Sequence, residues 1–233
     1  MLYYITDRRQ LSQNDDDSLR LVLDCIRQAA EAKIDFIQLR ERDLPARELC
    51  ELALVAAKII EKANFSREFQ TKFLINSRTD IALVCGVAGV HLRSKDISAS
   101  DARAVMMAAG RSKPMVAVSC HSLREVELAE GHGADFAVFG PVFGKFGSDS
   151  PALGLSAVRQ IRQDRRAANP RMPVLALGGV DVSNAAECLE AGADGIAGIR
   201  LFQREDVGEI MKKLRGISGL RPNNLDDRRI TPT

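Results

Sequence analysis

Short apolar runs rich in Val, Ile, Leu and Phe alternate along this chain with longer segments whose apolar residues return every three or four positions. The first pattern suits strands buried on both faces and the second suits helices that cover them, so the chain reads as α/β with a parallel sheet. Eight runs qualify: Leu2–Asp7, Asp35–Glu41, Lys72–Ser77, Gly89–Arg93, Met115–Cys120, Phe136–Pro141, Pro173–Gly179 and Gly195–Arg200. A helix fits each gap. In the first gap Leu19, Val22, Leu23, Ile26 and Ala30 share one face, and Asp15 to Ser18 supply acidic and capping groups at the start.

A partial internal repeat supports the count. Ala32-Lys33-Ile34-Asp35-Phe36-Ile37, Val87-Ala88-Gly89-Val90, Gly133-Ala134-Asp135-Phe136-Ala137-Val138 and Gly192-Ala193-Asp194-Gly195-Ile196 each stand where a helix hands over to a strand. Small residues let the chain turn tightly there. Eight such units favour a single closed (β/α)8 TIM barrel over a doubly wound open sheet, whose GxGxxG fingerprint does not follow the first strand. The barrel is expected to occupy residues 1–215. Residues 216–233 carry Gly, Pro, Asn, Asp and Arg with little apolar periodicity, and predict a flexible C-terminal tail.

Composition narrows the function classes. At 233 residues, 45% apolar, the chain suits one large core. Its 33 basic and 31 acidic residues are interspersed, leaving no nucleic-acid footprint. Cys25, Cys50, Cys85, Cys120 and Cys188 form no CxxC pair and no Cys-His zinc spacing, so they read as reduced thiols. No stretch approaches the ~18 apolar residues of a membrane span, and the start lacks a basic flank followed by an apolar run. The expectation is a cytoplasmic protein without membrane contact; a homo-oligomer is compatible with it.

In a closed barrel the loops at the carboxyl ends of the strands converge on one mouth. Polar residues gather at those points. Alternation through Gln38-Leu39-Arg40-Glu41-Arg42 aims Gln38, Arg40 and Arg42 to one side, where two guanidinium groups suit phosphate oxygens. The competing assignment pairs them with Glu41 and Asp43 on the surface. Asn76 offers a donor and an acceptor after the third strand, and Asp96, following His91-Leu92-Arg93-Ser94-Lys95, is either a hard-cation ligand or a loop carboxylate. After the fifth strand His121 is a candidate proton carrier, and Ser122 with Glu125 fits a helix capping box. The Gly- and Ser-containing loop 140–151, with Lys145 and Ser148, could wrap an anion. Gly178 and Gly179 after the seventh strand, with Gly198-Ile199-Arg200 at the eighth, let backbone amides approach a phosphate where such barrels commonly hold one.

Taken together, Gln38-Leu39-Arg40-Glu41, Ile75-Asn76, Gly89-Val90-His91-Leu92, Ser119 with His121, Gly140-Pro141-Val142-Phe143, Gly178-Gly179-Val180 and Ala191-Gly192-Ala193-Asp194-Gly195 resemble the thiamine phosphate synthase family, which includes the related thiazole tautomerases. The similarity runs from about Tyr3 to Gln203. It implies a transferase that joins hydroxymethylpyrimidine diphosphate to hydroxyethylthiazole phosphate and releases pyrophosphate, with Mg2+ on the diphosphate. By position, the resemblance puts Gln38, Arg40, Arg42 and Asn76 on the diphosphate and Asp96 on the metal. It puts Ser119 near the reacting centre, Lys145 and Ser148 on the pyrophosphate, and Gly178, Gly179, Ile199 and Arg200 by the thiazole phosphate.

The sequence departs from the family's pattern in four places. Arg42 stands for a usual Lys, Ser77 for a usual Asp that would be a second metal ligand, and Arg200 for a usual Ser, while the loop after the sixth strand is shorter. These changes fall mainly on the diphosphate and metal side. They keep two alternatives open: a metal-independent thiazole tautomerase using His121, and a non-catalytic barrel that binds thiamine phosphate.

Overall fold

The computed structural model describes residues 1–65, 69–144, 151–165, 172–204 and 206–220. Its strands are β1 (Leu2–Ile5), β2 (Phe36–Leu39), β3 (Lys72–Asn76), β4 (Gly89–Leu92), β5 (Met115–Cys120), β6 (Phe136–Phe139), β7 (Val174–Ala176) and β8 (Gly195–Gly198). Each pairs in parallel with the next, and β1 also pairs with β8, so the sheet closes in sequence order. The helices between and after them are α1 (Asp15–Glu31), α2 (Ala46–Asn64), α3 (Thr79–Val84), α4 (Ala99–Ala108), α5 (Leu123–Gly131), α6 (Gly154–Asp164), α7 (Ala185–Glu190) and α8 (Val207–Arg215). The fold is the expected (β/α)8 barrel. Most strands are shorter than the apolar runs that contain them, because pairing ends where the mouth loops diverge; Arg40, Arg93, Gly178, Gly179 and Arg200 stand beyond the strands.

Local chemistry explains several boundaries. The cap of α1 is Asn14, one residue earlier than the sequence pattern suggested, with its side chain accepting from the Asp17 N–H at 3.0 Å. Asp15, Asp16 and Asp17 fill the first turn, where the helix dipole favours negative charge. Ser122 caps α5 as anticipated, accepting from the Glu125 N–H at 3.2 Å. Packing continues past α8: Leu220 is buried in the outer core. The rest of the anticipated tail, 221–233, lies outside the described residues.

Side chains alternate between two apolar layers. Tyr3, Ile5, Phe36, Leu74, Met115, Ala117, Phe136, Val138, Leu175 and Ala197 fill the inside of the barrel, while Leu2, Tyr4, Ile37, Ile75, Val90 and Val116 join the larger layer beneath the helices. Tyr3, Phe36 and Phe136 meet as an aromatic plug, with Phe36 and Phe136 ring centres 4.7 Å apart and both in contact with Tyr3. Above the plug the inward positions turn polar: Gln38 and Arg40 follow Phe36, Asn76 follows Leu74, and Ser119 follows Ala117.

Below it, the internal repeat has a job beyond tight turning. Asp35, at the entry to β2, accepts from the Leu2 N–H of β1 at 2.6 Å. Asp135, before β6, accepts from Val116 of β5 at 2.7 Å, and Asp194, before β8, from Val174 of β7 at 2.9 Å. Three carboxylates thus close backbone donors on the barrel floor that would otherwise lack partners. The fourth copy of the repeat has Ala88 at this place and no such link.

Candidate active site

The tips of β2, β3 and β4 are joined by one run of hydrogen bonds. Gln38 Nε2 donates to Asn76 Oδ1 at 2.9 Å, Asn76 Nδ2 to Ser77 Oγ at 3.1 Å, and Ser77 Oγ to Asp96 Oδ2 at 2.6 Å. Arg93 closes the far side of Asp96, with its N–H on Oδ2 at 2.8 Å and its guanidinium on Oδ1 at 2.9 and 3.1 Å. Burial alone would raise the Asp96 carboxyl, but the Arg93 and Ser77 hydrogen bonds outweigh it and hold the group below the usual carboxylate range. Ser77 reaches this place with φ +58°, a left-handed conformation uncommon outside glycine and one that recurs at functional sites. Gln38 Oε1 is buried and has no hydrogen-bond partner among the described residues.

Arg40 and Arg42 are not tied up by Glu41 and Asp43. Glu41 is buried, accepting from Thr6 Oγ1 at 2.5 Å and from the Arg8 N–H at 3.0 Å. Asp43 takes the guanidinium groups of Arg8 and Arg9, at 3.0 and 2.9 Å. The carboxylate facing Arg40 is Asp7, at 3.7 Å. Burial, and next the like charge of Arg42, lower the Arg40 pKa below the ordinary arginine value. A compressed pair of cations is what a polyanion would relieve. Thr6 fixes the backbone of this corner by accepting from the Arg40 N–H at 2.9 Å.

On β4 and β5, His91 Nε2 lies 2.8 Å from Ser119 Oγ, and His91 Nδ1 lies 2.9 Å from the Tyr3 hydroxyl. His91 is 2% exposed and Tyr3 fully buried, whereas Ser119 is half-buried at the mouth. His121 has the same parity as Ser119, but β5 ends at Cys120 and the Ser122 cap begins, so the ring lies exposed with Nδ1 donating to the Gly140 carbonyl.

A cavity of about 1110 Å3 opens between the tips of β7, β8, β1 and β2. Arg40 and Arg42 beyond β2 line it together with Gly178 and Gly179 beyond β7 and Ile199 and Arg200 beyond β8. Gly178 and Gly179 have φ of +96° and +68°, and a Cβ on either would come 2.5 Å from Pro141 or 2.8 Å from Phe143. Replacing Gly178 with Ala should therefore lower the melting temperature and weaken phosphate binding together. Thermal melts and phosphate titration of the variant check this; unchanged values for both would refute it. Arg200 carries a lowered pKa from desolvation and then from Arg204. Lys145 and Ser148 lie outside the described residues.

The structure thus brings Gln38, Asn76, Ser77 and Asp96 into one network and places Arg40, Arg42, Gly178, Gly179, Ile199 and Arg200 around one cavity. The sequence model of the family described as thiamine monophosphate synthase matches residues 2–202. This chain belongs to that family. A thiamine-phosphate synthase of Pyrococcus furiosus is 32% identical over 218 residues, covering 93% of each chain. One from Moorella thermoacetica is 33% identical over 201 residues, covering 85% of this chain and 89% of its own. Among solved structures, thiamine phosphate pyrophosphorylase from Pyrococcus furiosus superposes with a TM-score of 0.73 at 28% identity, covering 98% and 96% of the two chains.

Three supporting residues of this family member escaped the sequence analysis as site residues: Thr6, Tyr3 and His91. The signal for His91 was present, since it lies two positions after Gly89 and so shares the inward parity of a barrel strand. Among the described residues no helix is long and apolar enough to cross a membrane.

Proposed function

We propose that this chain joins hydroxymethylpyrimidine diphosphate to hydroxyethylthiazole phosphate, forming thiamine phosphate and releasing pyrophosphate. The observation that carries this reading is the cavity itself, whose lining combines the Arg40–Arg42 pair with the glycine turns after β7 and the Arg200 corner of β8. Two phosphorylated partners need two anion-receiving walls facing one space, and a family of synthases supplies the reaction that uses them.

In this reading Gln38, Arg40, Arg42 and Asn76 hold the diphosphate, with Lys145 and Ser148 as further donors. Gly178, Gly179, Ile199 and Arg200 receive the thiazole phosphate. The pyrimidine carbon loses its bond to the diphosphate oxygen and develops positive charge, the pyrophosphate carries away the electron pair, and the thiazole nitrogen then forms the new bond. The protein's part is positioning and charge stabilisation, with no covalent intermediate of its own. Ser119 stands by the reacting centre. Cytoplasmic residence belongs to the same reading; all five cysteines are free thiols.

The donor set suits a diphosphate-borne Mg2+. Asp96, Ser77 and the unpartnered Gln38 Oε1 are hard oxygen donors, and Mg2+ makes do with one or two carboxylates when phosphates and water complete its shell. Bound there, Mg2+ would offset charge on the departing pyrophosphate. Among the described residues no cluster of three His, Cys, Asp or Glu side chains could hold a metal without substrate. Asp96→Asn should then raise the Mg2+ concentration needed for half-maximal rate by about 10-fold or more, a cost that substitutions one shell further from a metal already reach. An unchanged Mg2+ titration would remove Asp96 from the metal.

The purified chain tests the whole reading. Given both substrates and Mg2+, it should form thiamine phosphate and pyrophosphate in equal amounts. Aromatisation of a thiazole carboxylate, without thiamine phosphate, would replace the synthase with a tautomerase. The exposed position of His121, bound to the Gly140 carbonyl, favours the synthase.

A further inference from the structure

His91 and Ser119 look like the base and nucleophile of a hydrolytic dyad, with a third residue behind the ring as such dyads have. The identity of that third residue reverses the polarity. A base that accepts the serine hydrogen at Nε2 must carry its own hydrogen on Nδ1, and needs an acceptor there, commonly a carboxylate. Here Nδ1 meets a phenol, 2.9 Å away in the barrel interior.

Only one distribution of hydrogens satisfies all three groups. Tyr3 is fully buried, and His91 Nδ1 is the sole hydrogen-bond partner of its hydroxyl among the described residues. If Nδ1 carried the hydrogen, the phenol hydrogen would be stranded among Phe36, Phe136 and the His91 ring. If Tyr3 donates to Nδ1, the imidazole hydrogen sits on Nε2 and donates to Ser119 Oγ. The serine hydrogen is then left over, and Ser119 has no second partner among the described residues to take it. Its half-buried position at the end of β5 faces the mouth, beyond Ala117 of the inner layer.

We propose that Tyr3 and His91 are positioning residues: the phenol fixes His91 as its Nε2–H tautomer, so that Ser119 keeps its hydroxyl hydrogen and presents it to the bound reactants instead of being deprotonated by the ring. The ring is buried, and an imidazolium would strand the phenol hydrogen just as Nδ1–H does, so the ring cannot store a proton taken from Ser119. A donor aimed into the mouth suits an oxygen that gains negative charge, such as the departing diphosphate oxygen. That last assignment rests on the synthase reading; the tautomer does not.

The experiment therefore has two arms. In the full-length protein labelled with 15N-histidine and free of substrate, two-bond 1H–15N correlation should show one histidine with a protonated Nε2, an unprotonated Nδ1 and no titration between pH 5 and 9, assigned by its loss in His91→Gln. A protonated Nδ1, or an imidazolium, overturns the proposal. Tyr3→Phe should let the two tautomers mix while leaving the chain folded, because it deletes a single oxygen; an unmixed Nε2–H signal would remove Tyr3 from the role.

In the second arm, kinetics on both substrates should show kcat reduced about 10-fold or more in Tyr3→Phe and in His91→Leu with KM nearly unchanged, and largely restored in His91→Gln, whose amide keeps a donor near the Nε2 position. Equal kcat for Tyr3→Phe and wild type would overturn the positioning role even if His91→Leu failed to fold. Absence of turnover in the wild type would instead count against the synthase reading, and the spectra would still decide the tautomer.

Discussion

Replacing Arg40 by Met is expected to lower kcat/KM by a factor on the order of 10² to 10³, the cost of removing a preorganised charged donor from the proposed diphosphate wall. Arg40 is the inward residue just past β2, held by a hydrogen bond from its N–H to Thr6 and paired with the Asp7 carboxylate at 3.7 Å. Its lowered pKa records burial and the push of Arg42, so a diphosphate held there as proposed would relieve a repulsion as well as gain contacts. Arg40→Lys should recover part of the loss, since it keeps the charge but not the planar fork. Steady-state kinetics at fixed Mg2+ measure both. A drop confined to KM for the thiazole substrate would move Arg40 to the other phosphate.

Asp35→Ala is the substitution with the largest expected effect on stability, about 3 kcal/mol. The carboxylate is fully buried and accepts from the Leu2 N–H at 2.6 Å and from Arg215 at 2.9 Å, so its loss strands a backbone donor at the β1–β2 seam and leaves the partly buried Arg215 guanidinium with the Lys33 carbonyl at 3.3 Å in place of a carboxylate. For a domain of this size that corresponds to a fall in melting temperature of roughly 6 to 12 °C. Asp35→Asn, which retains an acceptor, should fall by less. Calorimetry that found the two variants alike would mean the carboxylate contributes nothing specific.

The barrel was legible because its signal is periodic. Buried parallel strands read as apolar runs, and the handover motif at Asp35, Gly89, Asp135 and Asp194 marked where half of them begin. The inward set was legible too, since parity carries Phe36 to Gln38 and Arg40, Leu74 to Asn76, and Ala117 to Ser119.

What escaped depends on register between strands or on where a strand stops. Ser77, taken from the sequence as a metal ligand lost, is the link between Asn76 and Asp96, which needs both a left-handed φ and the approach of the loop after β4. Glu41 looked like a surface partner for Arg40, but the β1 tip brings Thr6 and the Arg8 N–H to it instead. His121 kept the inward parity of its strand but fell one residue after β5 ended, where helix capping takes over. The contact between Tyr3 and His91 spans 88 positions and three strand spacings, so no local pattern carries it.

The aromatic plug formed by Tyr3, Phe36 and Phe136 divides the barrel into compartments with separate duties. The aspartates beneath it hold the backbone N–H groups of Leu2, Val116 and Val174, whereas above it Gln38 bonds to Asn76 and His91 to Ser119, so losses at the two ends should sum without coupling in double variants. Evolution, or an engineer, can therefore rework substrate preference at the top while leaving the foundations alone, with Tyr3 as the exception because it belongs to both storeys.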